Sequence, residues 1–398
     1  MKRLLFIAHR VPYPPDKGER ARALQEIKAL SGRFRITLAA LAHTRADDAA
    51  AGALKPWCQN VLLARGGGQC GLLRGALWML GGKSVTEGYF HSRRLEKLIL
   101  REHARERFDL VLGYASSMLH TTLCVPAVPR VMDLVDVDSA KWDSYADSAC
   151  GPLKWLYRTE ARRVRALEER AARECDALVL TTGPEVEMLS AGKEKALAVP
   201  HGVDLEQFAP PARARDGKPA LVFTGTMNYP PNVEAVCWFA REVWPELKRR
   251  VPELTFAIVG RDPTASVRRL ARTPGIVVTG PVPDVRPYLS AATVAVVPLL
   301  TARGLQSKTL EAMATGLPVV ISSTAARALE VEGDSGLLEA QTPQQWQDAV
   351  TGLLKDNPLR RHMGERARQC VQARYDWTQT MKPLVALCRR LAGESDST

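Results

Sequence analysis

The chain of 398 residues is 46% hydrophobic and 25% charged, which excludes intrinsic disorder and leaves room for two domains, each with its own core. Its net charge is +12 at pH 7, and most of that excess lies in the first 200 residues. A basic surface attracts nucleic acid, an anionic membrane or an anionic substrate. No helix-turn-helix, zinc-finger or RNP-type motif is present, so nucleic acid is not an expected partner.

Short apolar runs alternate with longer helical patterns along the chain, which predicts two doubly wound α/β units with parallel sheets. In the first half the predicted strands are 3–9, 35–41, 60–63, 110–114, 130–137 and 177–181. In the second half they are 220–224, 255–259, 276–278, 293–298 and 318–321. The Pro-rich, charged segment 209–219 lies between the two groups and predicts a linker.

Two segments of the basic half predict surface features. Residues 151–173 form a long helix with many arginines on its polar face, which predicts a solvated surface, with docking of an anionic lipid-linked acceptor as the alternative. Residues 72–80, followed by Lys83, predict a short amphipathic helix. This helix either lies on a membrane surface or packs on its own domain.

Several features predict a cytoplasmic protein. The eight cysteines show no C-x-x-C and no paired spacing, as expected for reduced thiols. His9, Arg10 and Pro12 interrupt the first apolar run, which predicts a strand and not a signal peptide. The longest uncharged stretch, 111–129, contains His120 and two prolines and is a poor transmembrane helix. Peripheral contact with the inner face of the membrane is left open.

The most informative segment is 303–320, RGLQSKTLEAMATGLPVV. An apolar strand precedes it, and its apolar residues then repeat at helical spacing until Gly316 and Pro318 end the helix. Backbone N–H groups at the start of this helix favour an anion such as a diphosphate. Lys308 adds a cation there. Glu311 lies on the same helix face and can accept hydrogen bonds from both hydroxyls of a ribose, so the pattern predicts a site for a nucleoside diphosphate.

Segment 303–320 resembles the C-terminal signature of the retaining glycosyltransferases of family 4. The resemblance extends over nearly the whole chain. Residues 5–18 look like the first strand and glycine loop of that family, and 200–208 look like its interdomain segment, with His201 in place of the usual asparagine. Residues 133–142 and 223–232 are similar to the branch associated with the PEP-CTERM/exosortase exopolysaccharide systems of bacteria.

The resemblance implies a GT-B fold, in which two Rossmann-like domains face a central cleft. It implies an N-terminal acceptor domain over 1–200, a nucleotide-sugar domain over 201–377, and a C-terminal helix, 378–398, that returns to the first domain. The implied activity is metal-independent transfer, with retention, from a UDP or GDP sugar to a glycan or lipid-linked glycan in exopolysaccharide synthesis. No cofactor is expected besides this substrate.

Ligands of open α/β sheets bind beyond the carboxyl ends of the strands, so residues there are the site candidates. The donor-binding candidates are Gly225, Thr226, Arg261, Val282, Arg303, Gly304, Leu305, Gln306, Ser307, Lys308 and Glu311. The acceptor-binding candidates are Lys17, Gly18, Arg20, Asp136 and Asp138. The catalytic candidates are Lys308, Glu311 and Asp136. Asp136 would orient or deprotonate an acceptor hydroxyl, and the alternative for the Asp136–Asp138 pair is a helix cap.

The chain departs from the family pattern in the donor site. Arg303 stands where members usually have a glutamate, and Thr226 and Pro231 stand where they have arginine and lysine. We expect Arg303 and Lys308 to replace this diphosphate clamp. No metal site is expected, because Asp136-Val137-Asp138 is the only D-x-D match and lies in the acceptor half. The departures keep two alternatives open, a non-catalytic GT-B relative that binds partners and a nucleotide-sugar epimerase.

Overall fold

The computed structural model describes residues 1–15, 18–211, 217–302, 304–329 and 335–394. It consists of two compact units, Met1–Pro200 with Thr380–Thr398, and His201–Gln379. Each unit contains one all-parallel sheet with helices in the crossover connections. The predicted class, two Rossmann-like α/β units, is therefore confirmed. None of the helices in the described part of the chain combines the length and the apolarity that a membrane span requires.

The sheet of the first unit has seven strands in the order β3-β2-β1-β4-β5-β6-β7. These strands are β1 (Lys2–Ala8), β2 (Phe34–Ala42), β3 (Asn60–Arg65), β4 (Leu110–Tyr114), β5 (Arg130–Val135), β6 (Ala177–Leu180) and β7 (Ala196–Ala198). The central strands β1 and β4 are buried along almost their whole length, as expected for a parallel sheet that is covered on both faces.

Nine α-helices connect and cover these strands in the described part of the first 200 residues. They are α1 (Gly18–Ser31), α2 (Arg45–Ala51), α3 (Gly68–Leu80), α4 (Val85–Phe90), α5 (Arg93–Arg105), α6 (Leu119–Thr122), α7 (Asp138–Ser148), α8 (Gly151–Glu174) and α9 (Gly183–Met188). The predicted basic helix, 151–173, corresponds to α8 and differs from it by one residue.

The sheet of the second unit has six strands in the order β10-β9-β8-β11-β12-β13. These strands are β8 (Ala220–Thr224), β9 (Thr255–Val259), β10 (Ile276–Val278), β11 (Val294–Val297), β12 (Val319–Ile321) and β13 (Leu337–Glu339). The helices that follow along the chain are α10 (Pro230–Glu242), α11 (Trp244–Arg250), α12 (Ala265–Leu270), α13 (Arg286–Ala291), α14 (Ser307–Ala314), α15 (Ser323–Ala326), α16 (Pro343–Lys355), α17 (Asn357–Arg374), α18 (Trp377–Thr380) and α19 (Lys382–Leu391).

The predicted strands are confirmed, four of them with the same bounds, but the sequence patterns missed β7 and β13. Both are three-residue strands at the edge of a sheet, too short to show a periodicity. The predicted C-terminal helix is wrong as a single element. It is divided into α18 and α19 at Met381, where Pro383 in the first turn of α19 cannot donate a backbone hydrogen bond. Helix α19 contacts α1 of the first unit.

Candidate functional site

Both sheets have a topological switch point, where the strand order reverses. In the second unit the chain starts at β8, proceeds outward through β9 to β10, and then crosses to β11 on the other side of β8. In the first unit the corresponding pair is β1 and β4. Helices that leave the two central strands in opposite directions open a crevice at the carboxyl ends of these strands. Ligand-binding residues are therefore expected at these two switch points.

In the second unit, helix α14 begins beside the switch point, directly after β11. Gly304 has a left-handed φ of 59° and turns the chain, and Leu305 is buried. The N-cap residue Gln306 makes no side-chain hydrogen bond to the helix, and its amide donates back to the Gly304 carbonyl at 3.3 Å. The first turn of α14, which starts at Ser307, is thus left without a side-chain cap, and its N–H groups suit an anion.

Lys308 connects α14 to the first turn of α10, the helix that follows β8. Its Nζ donates to Oδ1 of Asn232 and lies 4.7 Å from the centroid of the Phe223 ring. Asn232 is buried, and its Nδ2 donates to the Thr226 carbonyl at 2.9 Å. The ammonium was predicted as a cation for the diphosphate, and in the structure it also donates to the Asn232 side chain. Asn232 was not among the predicted site residues.

Lys308 and Glu311 lie on one face of α14, and the charge of each affects the pKa of the other. Burial lowers the pKa of Lys308 to about 7, and the charge of Glu311 opposes this change. Burial also raises the pKa of Glu311 to about 7, and the charge of Lys308 opposes that change. Because the two groups interact, the two protonation steps belong to the pair. A partly buried acid and a partly buried base that both titrate near neutral pH are typical of a functional site.

Two glycines let the loops after β8 and β9 approach each other closely. Gly225 and Gly260 have φ values of 156° and 151°. A Cβ at Gly260 would lie 1.7 Å from the Gly225 carbonyl oxygen, and a Cβ at Gly225 would lie 2.7 Å from Nδ2 of Asn232. The Met227 N–H donates to the Arg261 carbonyl at 2.8 Å. The backbone thus brings the predicted residues Gly225, Thr226 and Arg261 to one place.

Two donor candidates are not placed at the switch point by these contacts. Val282 follows β10, the edge strand of the sheet, and is partly buried against the hydrophobic core of the second unit. Arg303 lies outside the described residues. The expectation that Arg303 and Lys308 replace the arginine and lysine of the usual diphosphate clamp therefore stays a prediction.

In the first unit, two of the acceptor candidates lie at the start of α1, after β1. Gly18 begins the helix, and Nη2 of Arg20 donates to Oδ1 of Asp47 at 3.2 Å. Part of the guanidinium is thus engaged with the N-terminal turn of α2. Lys17 lies outside the described residues.

The end of β5 holds Asp136 in an unusual backbone segment. Val135 has φ 69°, which is strained for a β-branched residue and ends the strand two residues before the predicted end at 137. The Val135 N–H donates to Oδ1 of Asp133 at 2.7 Å. Asp133 is itself fixed by the buried guanidinium of Arg22, whose Nε and Nη2 lie 3.0 and 2.9 Å from Oδ2. Strained backbone of this kind is frequent at functional sites.

The carboxylates of Asp136 and Asp138 have different partners. Oδ1 of Asp136 accepts from the Thr181 hydroxyl at 2.9 Å, and burial raises the pKa of Asp136. Oδ2 of Asp138 accepts from the Ser116 hydroxyl at 2.8 Å, which joins the ends of β4 and β5. The N-cap position of α7 is Val137, with no side-chain cap hydrogen bond. The alternative in which these aspartates cap the helix is therefore wrong.

Among the residues that the structure describes, one group of three side chains could hold a metal ion, and it does not include Asp136 or Asp138. It consists of His91, Glu96 and His120, with Oε1 of Glu96 at 3.2 and 3.6 Å from the two Nε2 atoms. The tryptophan ring of Trp78 packs against both imidazoles. His120 lies on α6, which follows the switch-point strand β4, whereas Glu96 lies in the first turn of α5 and His91 just before that helix, between β3 and β4.

Residues 218–356 match the family model described as "Glycosyl transferases group 1". The D-inositol 3-phosphate glycosyltransferase of Corynebacterium urealyticum is 31% identical over 264 residues, which cover 58% of this chain and 60% of that protein. The lipopolysaccharide core biosynthesis mannosyltransferase LpcC of Rhizobium leguminosarum bv. viciae is 27% identical over 264 residues, 62% of this chain and 74% of that protein. The chain thus spans about six tenths of the first relative's length.

Solved structures extend the similarity to both units. Sucrose-phosphate synthase from Thermosynechococcus elongatus superimposes with a TM-score of 0.71 at 18% identity and covers 99% of this chain and 100% of that one. Anabaena Alr3699/HepE in complex with UDP and glucose gives a TM-score of 0.70 at 15% identity, with 97% and 99% covered. The chain has the GT-B fold. Its second unit, which contains the whole match to the family model, is similar to the group 1 glycosyltransferases.

We expect Gly260→Ala to destabilise the second unit by ~2 kcal/mol or more, because the loops after β8 and β9 approach each other closely at this glycine. The added Cβ would meet the Gly225 carbonyl, so the two loops must separate. Gly352→Ala is the matched control. This glycine is exposed inside α16, and no atom lies within 4 Å of the place that an added methyl group would take, so alanine should stabilise the helix by ~0.5–1 kcal/mol. Urea unfolding followed by tryptophan fluorescence measures both changes, and equal stability of the two variants would contradict the prediction.

Proposed function

We propose that the protein is a glycosyltransferase that moves a sugar from a UDP or GDP sugar to a glycan or lipid-linked glycan acceptor. The observation that carries the proposal is the position of Lys308 and Glu311 on α14, beside the switch point of the second unit. The similarity to group 1 glycosyltransferases supports it. So does the similarity to Anabaena Alr3699/HepE, whose structure contains UDP and glucose.

The donor diphosphate would lie at the first turn of α14. Its charge would be stabilised by backbone N–H groups of that turn and by the Lys308 ammonium, which lies 4.7 Å from the Phe223 ring. Glu311, one turn further along the same face, would accept hydrogen bonds from the ribose hydroxyls. These groups supply the charge stabilisation for the leaving diphosphate without a metal ion. Turnover in excess EDTA tests that part, and a requirement for Mg²⁺ would exclude it.

The acceptor would bind at the end of β5 in the first unit, where Asp136 orients the attacking hydroxyl. Burial raises the pKa of Asp136, which makes its carboxylate a stronger hydrogen-bond acceptor for that hydroxyl. We propose that the sugar is transferred with retention, the leaving diphosphate taking the acceptor proton, and that the product serves exopolysaccharide synthesis. The anomeric configuration of the product, determined by NMR, tests the stereochemical part.

The two alternatives make different products. A nucleotide-sugar epimerase would convert the donor in the absence of any acceptor, whereas a transferase would need one. A non-catalytic relative would bind a nucleotide or a partner protein and give no product with any donor. Analysis of products with and without a glycan acceptor therefore separates all three.

We expect Glu311→Gln to weaken binding of the preferred nucleoside diphosphate by ~1.5–3 kcal/mol, about 10- to 150-fold in Kd, because a carboxylate hydrogen bond to the ribose is lost. A thermal shift series with UDP, GDP, ADP and CMP on the wild type first identifies the base. Glu365→Gln, at an exposed position of α17, is the control and should bind like the wild type. If Glu311→Gln binds equally well, the ribose contact is excluded.

The pKa values of the α14 pair predict that nucleoside diphosphate affinity is highest near pH 7. Above about pH 7 Lys308 is neutral before the nucleotide binds, so binding must take up a proton and affinity falls by up to about tenfold per pH unit. Below about pH 7 Glu311 is protonated before the nucleotide binds, so binding must release a proton and affinity again falls. Titration calorimetry between about pH 6 and 9 measures both limbs.

Two variants show which residue causes each of the two decreases in affinity. Lys308→Arg keeps its charge throughout this range and should remove the decrease above pH 7. Glu311→Gln should remove the decrease below it. Protonation of the nucleotide phosphate is common to all variants and cancels in the comparison. A wild-type profile that is flat from pH 7 to 9 would contradict the role of Lys308.

Asp136→Asn should lower kcat about 100-fold or more while donor Kd stays within a factor of two, because Asp136 is proposed to contact the acceptor and not the nucleotide. Thr181→Val removes the hydroxyl that donates to Asp136 and should give a smaller decrease of the same kind. Steady-state kinetics with both substrates, together with donor titrations, measure the two effects. An unchanged kcat in Asp136→Asn would exclude a catalytic contact.

A further inference from the structure

Helix α3 of the first unit has its small residues inside and its leucines outside. Gly71 and Gly75 are its only buried residues. Four leucines of the helix are exposed: Leu72 63%, Leu73 68%, Leu77 67% and Leu80 82%. An ordinary surface helix buries such an apolar stripe and exposes its small and polar positions. The orientation of α3 is therefore the reverse of the one that water favours.

Close packing of α3 on α4 fixes this orientation. A Cβ at Gly75 would lie 2.9 Å from the Val85 carbonyl oxygen, and a Cβ at Gly88 of α4 would lie 2.8 Å from the Cβ of Trp78. No larger side chain fits between the helices. Rotating α3 to bury its leucines would have to separate the pair, so the exposed leucines are a stable feature of this fold.

A basic cavity adjoins the C-terminal end of α3. The cavity measures about 470 Å³ and is lined by the segment that follows α3 and by one face of α8. Four cations line it: Lys83, Arg162, Arg163 and Arg170. Its one acidic lining residue in the described chain is Glu87, whose pKa is raised by burial. The cavity thus presents a strongly positive surface.

The N-terminal end of α8, the helix that lines this cavity, also carries exposed apolar side chains. Trp155 is 66% exposed and Leu153 is 47% exposed. Trp155 lies one helical turn before Thr159, which lines the cavity, so both residues occupy the same helix face. Nη1 of Arg163 donates to the Lys83 carbonyl at 3.1 Å, which fixes the end of α3 to α8.

We propose that the exposed leucines of α3, with Leu153, Trp155 and the cations of the cavity, form a docking surface for an anionic phospholipid bilayer. We name this set the α3 surface. Its leucines and Trp155 would enter the headgroup and upper acyl region, and Lys83, Arg162 and Arg163 would bind lipid phosphates. The 13 residues of α3 suit a helix that lies in the interface plane.

Charge argues for a membrane over a second copy of the chain. Two copies that met through the α3 surface would bring two clusters of cations together, which is unfavourable. An anionic bilayer supplies both an apolar layer and a dense array of phosphates. The inference does not depend on the proposed glycosyl transfer, because it is tested by binding to lipid and not by turnover.

The test is co-sedimentation of the full chain with vesicles of phosphatidylglycerol and phosphatidylcholine, compared with vesicles of phosphatidylcholine alone. The wild type should bind the anionic vesicles, and added salt should weaken this binding. The double variant Leu73→Gln, Leu77→Gln should bind roughly tenfold or more weakly, because both leucines insert. The double variant Lys83→Gln, Arg162→Gln should lose about 30-fold, with a smaller salt dependence, and it keeps the hydrogen bond from Arg163 to the backbone carbonyl of residue 83.

The double variant Leu359→Gln, Leu300→Gln, at exposed positions of the second unit, is the control and should bind like the wild type. All altered positions are on the surface, so unchanged thermal unfolding verifies the fold of each variant. Absence of binding to anionic vesicles would overturn the proposal, and so would unchanged binding by the leucine variant. A dimer in solution that the leucine variant disrupts would assign the α3 surface to a second copy and overturn it as well.

Discussion

The hydrogen bond between Lys308 and Asn232 is the contact on which the proposed donor site depends. It joins α14, which follows β11, to the first turn of α10, which follows β8, and so it crosses the switch point of the second sheet. Burial at this place removes Lys308 from bulk water and lowers its pKa to about 7. The amino group of Lys308 is thus fixed in position before any ligand binds. Because of its lowered pKa, part of the population is uncharged near neutral pH. A diphosphate would restore that charge, because an anion favours the protonated form.

In the first unit, buried ion pairs hold the backbone segment that carries the candidate residue Asp136. Arg22 is fully buried and forms ion pairs with Asp133 and Glu26. Asp133 then accepts from the N–H of Val135 and holds this residue at a positive φ. An unpaired buried charge would be very unfavourable, so the ion pairs make this arrangement difficult to relax. Strain at Val135 and the direction of Asp136 are thereby maintained by residues outside the proposed acceptor contact.

The sequence predicted what depends on local pattern and missed what depends on distant contacts. Apolar runs mark the buried strands, and the ends of β8, β9 and β10 were predicted to the residue. The glycine turn and the start of α14 were also predictable, since helix signals are local. The partner of Lys308 was not, because Asn232 is 76 positions away. Nor does any local signal show that Val135 ends β5, since Asp133, which accepts from the Val135 N–H, is itself held by Arg22, 111 positions away.

Helix α3 shows why an apolar stripe alone does not decide between packing and membrane contact. Both alternatives predict an amphipathic helix in this segment, and hydrophobicity favours neither. The spacing of Gly71 and Gly75 supports the proposed membrane contact, because glycines four residues apart permit close helix packing on one side and place the leucines on the other. The same first unit carries Asp136 and the α3 surface. If the α3 surface binds a lipid layer as proposed, an acceptor anchored in that layer would meet a unit that is bound to it as well, and the search for the acceptor would be limited to two dimensions.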